Sequence, residues 1–177
     1  MKIKSDDLLN IHLPRWEEFP VFELYIDQVL AFINDNLSPF QNETEPLITA
    51  SMINNYVKNG VLHPPVKKKY NREHLAKLVV ICIAKRMLSL ADINDCILVI
   101  SRVVNIGEGY DLFCDELEYE IFSSVRPDLY PHKDVTSAET REMALIRSLT
   151  SAVARILVFD RIIGQRRRLS KLVEKMK

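Results

Sequence analysis

Glycine and cysteine are scarce in this sequence, and their scarcity excludes several classes of protein. Only four glycines are scattered over 177 residues, so no glycine-rich loop is available to cradle a phosphate group. The three cysteines, Cys82, Cys96 and Cys114, are far apart and odd in number, which argues against a disulfide framework and suggests a reducing compartment. The four histidines are dispersed, and no Cys or His pair has metal-site spacing. We therefore expect no cofactor, no metal and no enzymatic activity.

Long hydrophobic runs are also missing. The longest apolar stretch, residues 78–84, is too short to cross a bilayer. The opening residues, MKIKSDDLL, lack the apolar segment of a signal peptide. We therefore expect a cytoplasmic protein without membrane contact. An apolar fraction of 47% is ordinary for a globular protein, and the length predicts one domain, or one domain with a helical extension.

The formal net charge of zero conceals blocks of alternating sign. Residues 1–45 carry 3 basic and 9 acidic residues, and residues 46–90 carry 8 basic and 1 acidic. Residues 91–140 carry 3 basic and 11 acidic, and residues 141–177 carry 10 basic and 3 acidic. Two interpretations remain open here. The blocks pair with one another inside the fold, or one basic face binds a polyanion, which does not require a basic total.

Hydrophobic spacing predicts a mainly α-helical protein. We expect a first helix over residues 21–36, a second capped by Thr49 and stopped by Gly60, a third capped by Asn71 and a fourth capped by Ser89. Gly107 and Gly109 predict a turn over residues 105–110. A fifth helix over 110–124 and a long final helix, opened by Thr136 or Ser137 and interrupted at Gly164, complete the prediction.

The second helix carries a polar stripe. Its members follow the i, i+3, i+4, i+7 spacing of one helix face, and they are Ser51, Asn54, Asn55 and Lys58. Asparagine can make a bidentate pair with adenine in the major groove, and serine can reach a base or a phosphate. For this stripe alone, an ordinary solvated helix face is the more common explanation.

A basic segment follows the stripe directly. It reads as a tight hairpin or an extended arm, and its basic and aromatic residues are Lys67, Lys68, Lys69, Tyr70 and Arg72. A compact basic hairpin after a recognition helix is how winged helices grip the sugar–phosphate backbone, and such binding depends strongly on salt. A lysine run by itself is usually a solvated loop, but this position favours a nucleic-acid contact.

The stretch TASMINNYVKNGVLHPPVKKKYNREHLAKLVVICIAKRMLSLADI resembles the DNA-binding half of the MerR-type regulators. The resemblance rests on residues that fall in order on the MerR pattern, namely Ile53, Tyr56, Gly60, Val61, Pro64, Tyr70, Leu75, Ser89, Leu90 and Ile93. Asn54 and Asn55 replace the usual arginine and first tyrosine, the wing is shorter, and the link between the first two helices is longer. The resemblance implies a winged helix-turn-helix that binds double-stranded DNA, with Tyr56 among the contacts.

Over its whole length the chain is similar to a bacterial family described as domain of unknown function eighteen thirty-six. Its members share the LPRWEEFP-like opening, the SMINNYVKNG-like helix and the PPVKKKYNREHL-like wing. This similarity implies a bacterial source, from a Gram-positive organism, and supplies no function.

Together these patterns predict a sequence-specific DNA-binding transcriptional regulator. We expect an irregular segment over residues 1–20, a DNA-binding region over 21–105 with its core at 46–93, and a helical C-terminal region over 106–177. The wide apolar band of the final helix predicts a homodimer. A small-molecule effector is neither indicated nor excluded. The alternative is a protein–protein adaptor that retains a helix-turn-helix shape.

Overall fold

The computed structural model describes residues 8–41, 46–133 and 140–175, with side chains described as far as residue 164. Within these residues the fold is mainly helical, as the spacing predicts, with six α-helices and one two-stranded antiparallel sheet. The helices are α1 Ile26–Asn36, α2 Ala50–Lys58, α3 Arg72–Ala84, α4 Leu90–Ile100, α5 Ile106–Val125 and α6 Arg141–Lys175. The strands are β1 Leu24–Tyr25 and β2 Lys69–Tyr70, and two short 3-10 helices span Trp16–Glu18 and Ser38–Phe40. In the described part, no helix is both long and apolar enough to cross a membrane.

The predicted N-caps are confirmed. Thr49, Asn71 and Ser89 each precede a helix with extended backbone, and each side chain accepts a hydrogen bond from the backbone N–H three residues later. Such a bond satisfies one of the N–H groups that have no partner within the first helical turn. These local bonds fix where α2, α3 and α4 begin, and so they fix the position of the segment between α2 and α3.

The predicted turn over residues 105–110 is wrong. Asn105 caps α5 by accepting a hydrogen bond from the backbone N–H of Glu108, and α5 begins at Ile106. Gly107 lies inside the first turn of α5, where a Cβ atom would meet the Trp16 ring at 3.0 Å. The glycine is therefore used for close packing of the N-terminal segment on the helix, and not for a chain reversal.

Two other predicted helix limits are wrong. The first helix begins at Ile26 and not at residue 21, because Leu24 and Tyr25 form strand β1. The final helix continues through Gly164 without interruption. Its predicted start, at Thr136 or Ser137, lies outside the described residues, and the described helix begins at Arg141.

The N-terminal segment forms part of the core. Leu13 and Phe19 are buried, and Tyr110 of α5 donates a hydrogen bond through its hydroxyl to the Pro14 carbonyl at 2.7 Å. The Arg15 guanidinium donates to both carboxylate oxygens of Glu118, at 2.8 and 2.7 Å. The described part of this segment, residues 8–20, contains no regular element other than the 3-10 helix Trp16–Glu18, and it is packed against α5. It brings residues 17–25 to the start of α3.

Candidate nucleic-acid interface

Helix α2 is capped by hydrogen bonds at both ends, so its exposed face has a fixed position. After the Thr49 cap, the helix ends at Lys58, and Gly60 adopts φ +73°. The backbone N–H of Gly60 donates to the Val57 carbonyl, and that of Val61 donates to the Tyr56 carbonyl at 3.0 Å. This pair of bonds is the Schellman arrangement, in which glycine tolerates the left-handed conformation. The chain therefore leaves α2 in a defined direction towards the basic segment.

The polar stripe of α2 faces solvent. Ile53, at 0% exposure, holds the opposite face in the core, and the four stripe residues are all exposed, namely Ser51, Asn54, Asn55 and Lys58. Asn55 is partly engaged, because the Asn59 side-chain amide donates to its Oδ1 at 3.0 Å. Asn54 forms no side-chain hydrogen bond with the described residues. Its amide is therefore free to bind a base edge.

The basic segment forms a two-residue β-hairpin. Val66 and Lys69 exchange backbone hydrogen bonds, with N···O distances of 3.1 and 2.9 Å. The tip residues, Lys67 and Lys68, are exposed and have φ of 50° and 65°. Two positive φ angles are typical of a type I′ turn, which prefers Asn-Gly. A left-handed conformation costs an ordinary residue roughly 1–2 kcal/mol. Lysine at these two positions therefore lowers the stability of the hairpin, while it supplies positive charge.

Strand β1 supports the hairpin from the N-terminal side. Leu24 pairs with Tyr70 and Tyr25 pairs with Lys69 in antiparallel register. Directly opposed residues of such a pair lie on one face of the sheet. Leu24 and Tyr70 therefore face the core, at 5% and 3% exposure, while Tyr25 and Lys69 face outward. The Lys69 ammonium lies 5.5 Å from the centroid of the Tyr25 ring, a cation–π contact that orients it.

Two predicted contact residues are buried, and the side chain of a third is engaged in other contacts. Tyr56 is 4% exposed, and burial raises the pKa of its hydroxyl to about 12. Tyr70 is buried by the β1–β2 pairing described above. The Arg72 guanidinium donates to the Phe19 carbonyl at 3.1 Å and forms an ion pair with Glu17 at 3.3 Å. These three residues support the site from inside the fold, and we leave them out of the contact surface.

His74 connects the chain after α2 to the first turn of α3. Its Nδ1 accepts a hydrogen bond from the backbone N–H of Asn71, at 3.1 Å, which leaves Nε2 to donate to the His63 carbonyl, also at 3.1 Å. Burial lowers the pKa of this imidazole, so the neutral form is favoured. The neutral ring can serve as donor and acceptor at once. His74 thereby fixes one end of the loop that carries the hairpin.

Arginines and lysines of the basic block differ in their pairing. Arg72 is paired with Glu17, and Arg86 is paired with Asp160 of α6. Within the described part of the chain, the other cations of this block form no ion pair: Lys58, Lys67, Lys68, Lys69, Lys77 and Lys85, of which Lys85 donates a hydrogen bond to the Leu47 carbonyl. The first interpretation of the charge blocks, pairing inside the fold, is confirmed for Arg72, and the second stays a prediction. Arg72 joins the basic block 46–90 to the acidic block 1–45, whereas Asp160, the partner of Arg86, belongs to the second basic block. The lysines next to α2 form no ion pair with the described residues and remain available for an anion.

Sequence reasoning missed Tyr25 and strand β1. The only local signal was the apolar–polar–apolar order of Phe22, Glu23 and Leu24, which is too short to distinguish a strand from the start of a helix. Pairing of β1 with β2 joins residues about 45 positions apart, and such a contact leaves no periodic trace. Glu23 and Asp27, both exposed, lie before and after β1.

Comparison with known proteins gives one match. Residues 14–116 match the model of a family described as Domain of unknown function (DUF1836). This match covers β1, α2, the hairpin, α3 and α4 completely and ends within α5. No curated protein and no solved structure matches the chain.

Proposed function

The chain belongs to the DUF1836 family, whose description supplies no activity, and from the geometry we propose that it is a sequence-specific transcriptional regulator that binds double-stranded DNA. In this proposal the exposed face of α2 reads base edges in the major groove. The hairpin at residues 66–69 binds the phosphate backbone as a wing.

One observation carries this proposal. Lys67 and Lys68, which form no ion pair with the described residues, occupy the tip of a tight hairpin in a conformation that lysine does not favour. Strained conformations that persist in a fold are concentrated at functional sites. A cationic tip separated by eight residues from a helix with free polar side chains has the chemistry needed to neutralise phosphates.

Helix α2 has suitable dimensions for the major groove. Its nine residues span about 14 Å at 1.5 Å per residue, and the major groove is about 12 Å wide. A single face of this length reaches roughly three or four base pairs. The amide of Asn54 supplies the donor and acceptor for a bidentate contact with adenine, while Lys58 at the end of the helix is placed for a phosphate.

The test is duplex binding as a function of salt, after selection of bound sequences from a random duplex pool. Fluorescence anisotropy gives the affinity for the selected duplex between about 50 and 200 mM salt. The logarithm of the affinity should fall linearly with the logarithm of the salt concentration, by a slope of about 0.9 for each neutralised phosphate. Weak binding without sequence preference, or an affinity that does not depend on the salt concentration, would contradict the proposal.

The hairpin offers a variant that separates binding from stability. Lys67→Asn with Lys68→Gly supplies the residues that the turn prefers, so the melting temperature should rise, by roughly 2–4 °C for each kcal/mol gained. The same variant removes two cations, so DNA affinity and the salt slope should both fall. A protein that becomes more stable and yet loses DNA binding cannot have lost it by unfolding.

The matched control removes two charges elsewhere. Arg102 and Arg155 are exposed and lie outside α2 and the hairpin, so Arg102→Gln with Arg155→Gln changes the net charge equally. We expect this control to bind DNA nearly as the natural chain does. An equal loss of affinity in both double variants would show that net charge, and not the hairpin, governs binding.

A second candidate function is a protein–protein adaptor. It is favoured by large apolar side chains that remain exposed in β1, in the residues before it and at the base of the hairpin: Val21 at 86%, Phe22 at 65%, Tyr25 at 55% and Val66 at 64%. Exposed apolar patches are typical of protein contacts. Phe22→Ser should abolish partner binding under the adaptor proposal and leave duplex affinity unchanged under the regulator proposal.

A further inference from the structure

Helices α3, α4, α5 and α6 surround an open cavity on the described part of the protein. Its volume is about 610 Å³, including the portion open to solvent. Side chains from all four helices line it and remain only half-buried, although they lie between helices: Val80, Ile97, Ile100, Ile106, Leu145 and Leu149. These side chains are incompletely covered because the helices leave a space between them.

The polar groups of the cavity are few, and most are already engaged. The Tyr110 hydroxyl donates to the Pro14 carbonyl, and the Ser101 hydroxyl donates to the Leu98 carbonyl. Asn105 accepts the capping bond of α5 through Oδ1, which leaves its NH₂ group free. Lys77 of α3 is the only charged residue of the lining, and it forms no ion pair or hydrogen bond with the described residues.

We propose that this cavity binds a small amphipathic anion, with an apolar body between the four helices and a carboxylate at Lys77. The apolar lining excludes a sugar or a nucleotide, whose many polar groups would lose their bonds to water without replacement. One unpaired ammonium at the edge of an apolar cavity matches one negative charge at the end of an apolar chain or ring. The Asn105 amide adds a neutral donor for the same group.

The cavity is connected to the hairpin by a short covalent path. Ala76, Lys77 and Val80 line it from α3, and only Asn71 separates α3 from strand β2. A molecule that fills the cavity holds α3 against α4, α5 and α6, and it thereby fixes the helix to which the hairpin is attached. This regulatory part rests on the proposed function, whereas binding of the anion does not.

The first experiment measures binding to the full chain without DNA. Octanoate, 1-octanol and octylamine share one apolar body and differ in charge, and isothermal titration calorimetry gives the affinity of each. Octanoate should bind saturably with one site per chain and at least tenfold more tightly than octylamine. Absence of saturable octanoate binding, or equal affinities for octanoate and octylamine, overturns the site.

Three variants locate the bound molecule. Lys77→Met keeps the apolar stem and removes the charge, so it should weaken octanoate binding at least tenfold and leave 1-octanol binding unchanged. Arg155→Met removes one exposed cation outside the cavity and should change the affinity for neither octanoate nor 1-octanol. Leu145→Trp fills the cavity and should abolish binding of both molecules while the chain keeps its fold, as judged by circular dichroism.

Each contrary result of these variants has a definite meaning. Equal octanoate affinities in the Lys77 and Arg155 variants overturn the role of Lys77. Retention of octanoate binding by the folded Leu145→Trp chain overturns the cavity as the site. If the Leu145→Trp chain instead sediments with a lower mass than the natural chain, a second copy occupies the cavity of the natural chain and the proposal fails.

A separate measurement tests the link to DNA. The affinity for the selected duplex, with and without saturating octanoate, should differ at least threefold in the natural chain and not in Leu145→Trp. If octanoate binds but duplex affinity does not change, the cavity is a ligand site without control over the hairpin, and the regulatory part is overturned. If no duplex binds at all, the proposed function fails while calorimetry still decides the ligand site.

Discussion

Lysine and arginine take different parts in residues 46–90. The Arg72 guanidinium joins the start of α3 to Phe19 and Glu17, a role that uses its several N–H donors in a fixed plane. Lys67 and Lys68 extend from the hairpin tip and form no ion pair among the described residues. Arginine thus contributes to the fold and lysine to the proposed contact. A count of basic residues alone cannot separate these roles.

Asn54 is the residue on which sequence preference should depend most. Its side chain is exposed and has no hydrogen-bond partner in the described structure, whereas Asn55 is engaged by Asn59. Asn54→Ala should cost about 1–3 kcal/mol on the selected duplex, which is the usual worth of a bidentate base contact. On a scrambled duplex the loss should be much smaller. Fluorescence anisotropy with both duplexes measures the difference.

The control for this prediction is Asn94→Ala. Asn94 lies on α4, outside the proposed interface, and the substitution has the same chemistry. It should leave both affinities unchanged. Equal losses on the selected and the scrambled duplex for Asn54→Ala would mean that this residue only positions α2.

His74 should make stability depend on pH. Burial, the largest influence, lowers its pKa in the folded protein below the ordinary value of 6.5. Below about pH 6.5 the unfolded chain therefore binds more protons at this residue than the folded chain does, and the free energy of unfolding falls as the pH falls. Above that pH the ring is neutral in both states, and the His74 contribution is constant.

Thermal unfolding of the natural chain and of His74→Gln between pH 5 and 8 measures this contribution. Below pH 6.5 the melting temperature of the natural chain should fall more steeply than that of the variant, because only the natural chain carries the His74 contribution. The remaining histidines contribute equally to both proteins. Parallel curves for the two proteins would refute the assignment. At pH 8 the variant should be the less stable protein, since it loses the bond that fixes the His63 carbonyl to α3 and the bond to the Asn71 backbone N–H.

At the scale of elements, the predictable features were those determined by neighbouring residues. The caps at Thr49, Asn71 and Ser89 and the stop at Gly60 depend on bonds within four or five positions, and all four are confirmed. The mainly helical class is also confirmed. These features fix the bounds of α2 and the position of the hairpin between α2 and α3, which is the local frame of the candidate site.

The features that failed depend on distant residues. Strand β1 exists because of its partner β2, and the burial of Tyr56 and Tyr70 depends on how the N-terminal segment and α1 pack. Gly107 was interpreted as a turn residue because glycine commonly marks turns. The reason for its presence is the Trp16 ring, about 90 positions earlier in the chain, and no local pattern contains that information.

Gly107 and Gly164 therefore predict opposite effects of the same substitution. A Cβ atom at Gly164 of α6 would meet nothing within 4 Å, so Gly164→Ala should stabilise the protein by up to about 1 kcal/mol, the difference in helix propensity. At Gly107 the Cβ atom would press on the Trp16 ring, and overpacking costs about 1–3 kcal/mol. Urea unfolding should find Gly164→Ala the more stable variant, and the reverse order would contradict this packing argument.

At the scale of the whole molecule, the most extensive helix–helix contact joins α5 and α6. Residues of α6 that face α5 and the core are buried, among them Val153, Ala154 and Leu157. Arg147, at 9% exposure, pairs with Glu116 of α5 at 3.3 Å, so charge as well as apolar packing holds the two helices together. This contact covers only one side of α6.

A second copy is the partner that we propose for the uncovered side of α6. Phe159 and Ile162 are 60% and 42% exposed and, at a spacing of three, lie next to each other on one face. A short recognition helix reads few base pairs, and a twofold dimer that reads two half-sites is the usual solution.

Sedimentation equilibrium at micromolar concentration should therefore give twice the chain mass of 20.5 kDa. Phe159→Ser with Ile162→Ser should give the monomer mass, whereas Leu129→Ser, which removes an equally exposed apolar side chain from a loop, should leave the dimer intact. A mass of 20.5 kDa that does not change with concentration would refute the dimer. The exposed apolar side chains of α6 would then have no second copy as their partner.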